Sequence, residues 1–209
     1  MTNENAKMEW CSQKESPDFK IEDNFLRQKE LESIQEVLLG NSFSWFFNYK
    51  LNETFKLKEY PFQLSHTFYE NGAPSSQVVQ PLVPILEILR SLSIYRIRAN
   101  LLTKTSNHIE NPFHVDMPGL SEEKQKQWTT SIFYVNTNDG YTVFEDGTKI
   151  ESVANRMLTF PANVKHTGTT CTDQQMRVII NFNYYKEDKY AINTVSPTMR
   201  SNPTPNKVI

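Results

Sequence analysis

Apolar residues recur at helical spacing twice in the first half of the chain. Leu31, Ile34 and Leu38 fall at i, i+3 and i+7, which predicts a helix over about residues 27–39 that closes with Gly40 as its C-cap. A second stripe predicts a helix over about residues 81–92, with Pro81 near its start. That stripe consists of Leu82, Ile85, Leu86 and Leu89. Both stripes indicate helix faces buried against a core.

From residue 94 onward the apolar positions follow a period of two, which is typical of strands. Turn sequences such as Asn138-Asp139-Gly140 and Asp146-Gly147 separate the runs. The predicted strands are 94–102, 128–136, 141–145, 148–153, 156–160, 164–170 and 176–185, and a short segment around His114 adds an eighth. Eight strands with short turns predict a jelly roll. A further short strand is expected at 19–23, and the aromatic-rich segment 42–49 is expected to pack in the core.

The two patterns together predict a mainly β chain with flanking N-terminal helices, an α+β protein of one domain. The 209 residues divide into a polar, mobile segment 1–18, a single domain 19–185 and a surface or disordered tail 186–209. Within the domain, 19–93 provides helical support and 94–185 forms the jelly-roll core.

Composition narrows the classes of partner. The net charge is −2 and the pI is about 6.1, so no basic surplus indicates a nucleic-acid partner, although a local basic groove stays open as an alternative. No apolar run approaches the roughly 20 residues of a membrane span, and the polar N-terminus lacks the apolar core of a signal peptide. Cys11 and Cys171 lie far apart in no ligand spacing, so we expect a reducing, cytoplasmic compartment.

The candidate chemistry lies in the spacing of two histidines and one aspartate. His114-Val115-Asp116, followed by His166, matches the two-histidine, one-carboxylate set that holds ferrous iron and leaves coordination positions open. Arg177 follows His166 by eleven residues and offers a planar cation suited to a carboxylate. Together these residues predict an iron- and 2-oxoglutarate-dependent dioxygenase.

Longer motifs accompany these residues across 94–185. They are Arg96-Ile-Arg-Ala-Asn-Leu-Leu, Phe113-His-Val-Asp, Ser131-Ile-Phe-Tyr-Val-Asn, Asp139-Gly-Tyr-Thr-Val-Phe, Arg156-Met-Leu-Thr-Phe-Pro, His166-Thr-Gly and Arg177-Val-Ile-Ile-Asn-Phe-Asn-Tyr. This set resembles the prolyl-4-hydroxylase-like branch of the 2-oxoglutarate/Fe(II) dioxygenases, in particular small members encoded by marine phages. The resemblance implies a double-stranded β-helix (a cupin-like jelly roll) and, for a phage protein, the host cytoplasm.

The resemblance also implies roles for individual residues. His114, Asp116 and His166 would bind Fe(II), and Arg177 would pair with the distal C5 carboxylate of 2-oxoglutarate beside the hydroxyl of Tyr134. Dioxygen is the second implied co-substrate, and ascorbate is an expected stimulant. A carboxylate at Asp116 implies hydroxylation, since halogenases of the superfamily carry a small residue there.

Three further residues are weaker candidates for the pocket. Asn181 lies four residues beyond Arg177, so strand alternation places both on one face and Asn181 is expected to line the co-substrate pocket. Where many relatives carry a tyrosine near the end of the first core strand, this chain has Leu102, and Asn100 is a candidate polar substitute. The polar loop 103–112 leads into His114, so its His108 is a candidate substrate contact.

The sequence leaves the prime substrate and the oligomeric state open. A hydroxylase acting on a peptidyl residue or a free amino acid, with proline as first candidate, follows from the resemblance. A nucleobase-modifying oxygenase is the alternative enzyme, and it requires a cationic groove and a stacking platform for a flipped base. A non-catalytic jelly roll that binds without a metal is the third alternative, and the intact His114, Asp116 and His166 set argues against it.

Overall fold

The computed structural model describes residues 19–48 and 62–186. The predicted mobile segment 1–18 and all but the first residue of the predicted tail lie outside these ranges. The helices are α1 (Gln28–Leu38), α2 (Val83–Leu89, preceded by a 3-10 turn at Gln80–Leu82) and α3 (Glu122–Gln125). The strands are β1 (Lys20–Glu22), β2 (Phe46–Asn48), β3 (Gln63–Glu70), β4 (Ala73–Pro74), β5 (Ser93–Thr103), β6 (Thr129–Tyr134), β7 (Tyr141–Phe144), β8 (Lys149–Glu151), β9 (Arg156–Pro161), β10 (His166–Gly168) and β11 (Met176–Tyr185).

Two antiparallel sheets make up the jelly roll, as the sequence predicted. The larger sheet has eight strands in the order β1-β9-β6-β11-β5-β3-β2, with β4 paired to β3. The smaller sheet runs β10-β7-β8, and the segment leading to His114 pairs with it through two isolated bridges, Glu110 to Thr169 and His114 to His166. The predicted eighth strand is therefore present only as these bridges.

Strand alternation divides the buried side chains between two cores. On β11, Val178, Ile180 and Phe182 face the helices, and their neighbours in sequence face the smaller sheet. The outer core packs α1 and α2 against the larger sheet, and it includes Ile34, Leu38, Leu82, Ile85, Ile97, Ala99 and Phe133. The inner core lies between the sheets and consists of Ile132, Tyr134, Phe144, Ile150, Leu158, Phe160 and Ile179. The helices thus stiffen the sheet from outside without entering the space between the sheets.

The two predicted helices exist, but each is shorter than predicted. Helix α1 ends at Leu38. Position 40 requires glycine, because a Cβ there would collide with the carbonyl oxygen of Glu36. Helix α2 ends at Leu89 because Arg90 adopts a left-handed conformation with φ of 49°. The backbone N–H of Leu92 then donates to Tyr185, so residues 90–92 turn the chain into β5 instead of extending the helix.

The sequence pattern predicted neither a helix nor a strand for residues 62–80, but the structure has β3 there, paired with β5. The aromatic segment 42–49 also differs from its prediction. Phe43 and Trp45 pack against the outer core, whereas Phe46 and Phe47 are exposed on β2. Among the described residues, no helix is long and apolar enough to cross a membrane.

Candidate active site

Backbone pairing brings the two predicted histidine ligands together. The N–H of His114 donates to the carbonyl of His166 at 3.0 Å, and the N–H of His166 returns the bond at 3.0 Å. Each ring also uses its Nδ1, His114 toward Pro112 and His166 toward Val164, at 3.1 Å to the carbonyl oxygen in both cases. A carbonyl can only accept, so Nδ1 carries the proton and Nε2 is left as the ligand atom of each ring.

Asp116 completes the set from the loop that follows His114. Its carboxylate oxygens lie 3.8 Å from Nε2 of His114 and 3.9 Å from Nε2 of His166. The ligand atoms of the three residues lie within 4.8 Å of one another. Two imidazole nitrogens and one carboxylate oxygen at this spacing fit a first-row divalent metal such as Fe(II). The three residues that the sequence predicted as ligands therefore lie close enough together to hold such a metal.

Residues that the sequence reasoning missed orient the Asp116 carboxylate. Asn183 donates to Oδ2 at 2.9 Å, and Arg96 lies 3.4 Å from Oδ1 while also donating to the Asp116 carbonyl at 3.1 Å. Burial alone would raise the pKa of Asp116, but His166, Arg96 and the other polar neighbours outweigh it and lower that pKa. The carboxylate is therefore held ionised, in the form that binds a metal.

Arg177 is a buried cation at another part of the same cavity. Its Nε donates to Ser152 at 2.7 Å and one terminal nitrogen donates to Thr142 at 3.1 Å. No aspartate or glutamate within 19–48 and 62–186 forms an ion pair with it. Burial lowers the pKa of Arg177, as expected for a cation without a carboxylate partner.

Two glycines make room for that guanidinium. A Cβ at Gly140 would lie 2.7 Å from Cδ of Arg177, and a Cβ at Gly168 would lie 3.0 Å from a terminal nitrogen. The Asp139-Gly140 and His166-Thr-Gly168 motifs therefore have a steric explanation. Larger residues at either position would displace the arginine.

Thr142 links Arg177 to Tyr134, and it was also missed. The Tyr134 hydroxyl donates to Oγ1 of Thr142 at 2.8 Å, and Arg177 donates to the same oxygen. Both acceptor positions of the threonine hydroxyl are thus filled, which leaves its own proton for an external acceptor. Thr142 lines the cavity, whereas Tyr134 is fully buried behind it.

The cavity measures about 430 Å³ and contains both the histidine–aspartate set and Arg177. Asn181, Asn100 and Leu102 all line it. Asn100 accepts a hydrogen bond from Gln63 at 2.6 Å, and Oδ1 of Asn181 is buried without a partner among the described residues. His108 is not among the lining residues; it lies 3.3 Å from Asp139 near the surface, and its substrate contact stays a prediction.

Strand alternation could have revealed Asn183 and Arg96. Asn183 lies on the same face of β11 as Arg177 and Asn181, and Arg96 lies on the same face of β5 as Asn100. Thr142 and Ser152 carried no such signal, because their role depends on how the smaller sheet lies over β11.

Comparison with known proteins supports the fold and adds nothing at the level of sequence. No family model matches the chain, and no curated protein matches it. A prolyl hydroxylase from Trichoplax adhaerens, solved with a hypoxia inducible factor peptide fragment, is 16% identical with a TM-score of 0.57, covering 80% of this chain and 83% of its own. The chain has the fold of the 2-oxoglutarate/Fe(II) oxygenases.

Proteins other than prolyl hydroxylases, one of them an epimerase, share that fold. The non-heme alpha ketoglutarate dependent epimerase SnoN from nogalamycin biosynthesis is 11% identical with a TM-score of 0.54, over 90% of this chain and 88% of its own. HygX from Streptomyces hygroscopicus, solved with nickel, 2-oxoglutarate and hygromycin B, is 11% identical with a TM-score of 0.52, over 81% and 83%. At these identities the likeness establishes the double-stranded β-helix and leaves the reaction to be argued from the site.

Proposed function

We propose that this protein is an Fe(II)- and 2-oxoglutarate-dependent dioxygenase that hydroxylates an unactivated C–H bond of an amino-acid residue. One observation carries the proposal. A two-histidine, one-carboxylate set and a buried arginine line the same cavity, and no carboxylate of the described residues pairs with that arginine. The first calls for a metal and the second for an anionic ligand, and 2-oxoglutarate is an anion that can reach both.

His114, Asp116 and His166 are the proposed metal ligands. Bound iron and 2-oxoglutarate supply the oxidising chemistry, in which O2 is consumed and the co-substrate becomes succinate and CO2. The protein keeps both Nε2 atoms available through the Nδ1 hydrogen bonds and fixes the Asp116 carboxylate through Asn183 and Arg96. By the resemblance, the carboxylate of Asp116 would hold the metal where a halogenase leaves room for chloride, which supports hydroxylation.

Arg177 is the proposed partner of the C5 carboxylate of 2-oxoglutarate. Thr142 donates its hydroxyl proton to the same carboxylate, and Tyr134 assists by filling an acceptor position of that hydroxyl. Ser152 holds the guanidinium by accepting from its Nε. Asn181 is the proposed polar side chain between this pocket and the metal ligands, and Asn100 with Leu102 forms the wall beside it.

Peptidyl proline is the first candidate substrate. The support is the sequence resemblance to the prolyl-4-hydroxylase-like branch, together with a structural neighbour solved with a peptide fragment. Free amino acids remain within the same proposal. A nucleobase is the competing candidate substrate, so DNA is included in the screen.

The deciding experiment is succinate formation after anaerobic loading with Fe(II) and addition of 2-oxoglutarate and O2. Proline peptides, free amino acids, and single-stranded and duplex DNA are then screened for a mass gain of one oxygen. We expect succinate from the wild-type protein and none from Asp116→Ala. Wild-type turnover in Asp116→Ala with the same bound metal would place the metal elsewhere, and oxidation of DNA bases alone would reject the amino-acid substrate.

A further inference from the structure

The inner face of the larger sheet continues beyond the inner core. Side chains of β6, β7, β8, β9 and β11 fill that core, and none of β5, β3 or β2 contributes to it. The register of the larger sheet places the following residues opposite one another on neighbouring strands. Asn181 lies opposite Arg98, and Leu102 lies opposite Gln63, which lies opposite Asn48. These residues line the cavity instead, so its wall beyond the metal ligands is polar.

The charged groups of the cavity keep a net positive charge even when Fe(II) and 2-oxoglutarate are included. The cavity lining contains Arg96, Arg98 and Arg177, but Asp116 is its sole acid among the described residues. On the proposed function, the charges of Fe(II) and the 2-oxoglutarate dianion cancel. Asp116 offsets Arg96, Arg177 binds the co-substrate, and Arg98 is left with Glu70, which lies 3.3 Å away outside the cavity lining. The net charge of all these groups together is about +1.

Arg98 has hydrogen-bonding capacity to spare. Its Nε donates to Thr67 at 3.1 Å and one terminal nitrogen donates to Glu70, which uses part of the five N–H groups of a guanidinium. Its side chain is 24% exposed, so solvent and ligand can still reach it. The neighbouring Asn181 is more than nine-tenths buried and has an amide oxygen without a partner among the described residues.

We propose that the prime substrate carries a carboxylate, and that Arg98 binds this carboxylate at the mouth of the cavity, with the amide N–H groups of Asn181 and Asn100 as further donors beside it. This proposal rests on the proposed function, because it assigns the other charges of the cavity to iron and 2-oxoglutarate. A single carboxylate matches the one surplus charge, whereas a phosphate dianion would exceed it. Free amino acids, peptide C-termini and acidic peptide side chains all present such a group.

Pairs of compounds that differ only in that charge provide the test. Each free amino acid is compared with its primary amide, and a dipeptide ending in proline is compared with its C-terminal amide. Capped peptides with an internal aspartate or glutamate form the third arm. Two measurements are made on the full chain: one-oxygen mass gain with Fe(II), 2-oxoglutarate and O2, and ligand-observed NMR binding to the protein loaded with Ni(II) and 2-oxoglutarate. The arm that is preferred identifies the source of the carboxylate.

Two variants should move binding in opposite directions. Arg98→Gln should raise the half-saturating concentration of a carboxylate substrate tenfold or more, since a charge-assisted pair is lost. Glu70→Gln should lower it about two- to threefold, because Glu70 competes for the same guanidinium. If the Arg98–Glu70 pair had only a structural role, both substitutions would change the half-saturating concentration in the same direction. Arg27→Gln and Glu145→Gln remove surface ion pairs outside the cavity and serve as matched controls.

Two results would overturn the proposal: amides that bind and react as well as acids, or carboxylate binding unaffected by Arg98→Gln. If succinate forms and depends on Asp116 while only neutral substrates gain oxygen, the carboxylate is wrong and the dioxygenase stands. If no mixture yields succinate, the proposed function fails, and the NMR arm still decides whether Arg98 selects carboxylates.

Discussion

At the scale of single residues, the site depends on hydrogen-bond donors placed behind the groups that do the chemistry. Asn183 behind Asp116 and Tyr134 behind Thr142 are both fully buried, so neither is free to exchange its partner for water. Each fixes the orientation of a group that lines the cavity. Removing one of these donors should weaken the binding of one specific ligand and leave the fold in place.

Asn183→Ala should weaken metal binding about 10- to 100-fold, the usual effect of losing a hydrogen bond to a metal-bound carboxylate. The reason is that Asp116 loses its shortest donor and rotates more freely. Competition titration with Mn(II) or Ni(II) measures the change. Asn100→Ala is the control, because it removes an amide from the same cavity that bonds to Gln63 and not to Asp116. Equal losses in the two variants would contradict the role of Asn183.

Thr142→Val should raise the dissociation constant for 2-oxoglutarate about tenfold or more, since a hydrogen bond to a charged group contributes about 1.5–3 kcal/mol. Valine keeps the shape of threonine and removes the hydroxyl. Thr142→Ser should restore most of the affinity, and Arg177→Ala should lose tens-fold or more because an ion pair in a buried site is removed. Calorimetric titration of the Ni(II)-loaded protein gives these constants. An unchanged constant in Thr142→Val would mean that the hydroxyl proton is directed elsewhere.

At the scale of elements, the sequence predicted those parts whose signal is local. The jelly-roll strands were predicted from their alternation, and the set of His114, Asp116 and His166 was predicted from its residue types and spacing together with the longer motif around each residue. Strand β3 was missed although Leu64, His66 and Phe68 alternate with polar residues, because the middle of the three is itself polar and only His66 and Phe68 are fully buried. Thr142 and Ser152 were missed because no motif marks them, and their contact with Arg177, 35 and 25 residues away, depends on how the smaller sheet lies over β11.

Asn155 shows how one residue joins separate elements. It adopts a left-handed conformation with φ of 65°, and its amide bonds both the N–H and the carbonyl of Leu26 at 2.8 Å. The chain entering α1 is thereby tied to the turn before β9. Asn155→Ala should lower the free energy of unfolding by about 2–4 kcal/mol, since it loses buried hydrogen bonds and strains the backbone.

Chemical denaturation measures that loss, and two further variants divide it. Asn155→Gly relieves the backbone strain but not the loss of hydrogen bonds, so it should fall between wild type and alanine. Asn71→Ala replaces another left-handed asparagine, with φ of 56° on an exposed turn, and reports the strain alone. A loss in Asn155→Ala no larger than in Asn71→Ala would show that the bonds to Leu26 contribute little.

At the scale of the whole molecule, the residues of the candidate site join the two sheets. His166 belongs to the smaller sheet, while Asp116 is hydrogen-bonded to Asn183 of the larger one. Arg177 extends from the larger sheet to Ser152 and Thr142 on the other side. A metal and a co-substrate bound here would therefore hold the sheets together and stabilise the whole domain.

Ni(II) with 2-oxoglutarate should raise the melting temperature of the wild-type protein by roughly 5–10 °C. Ligand at 100 times its dissociation constant contributes about 2.7 kcal/mol, and each kcal/mol moves a domain of this size by about 2–4 °C. Differential scanning calorimetry measures the shift. Asp116→Ala should show no shift with the metal, and a shift that persists in that variant would indicate a second metal site.

The backbone bridge between His114 and His166 has a consequence for which metal would occupy the proposed site. Paired main-chain hydrogen bonds fix the backbones of the two histidines, and a hydrogen bond at each Nδ1 holds its ring, so each divalent ion would meet the same two nitrogens. A nitrogen-rich set of this kind gains affinity from Fe(II) through Ni(II) to Cu(II), whatever the function requires. The identity of the occupant is then decided by which divalent ion the cell supplies in exchangeable form. Overproduction in a medium rich in nickel or copper should yield protein that is correctly folded, fully metallated and inactive.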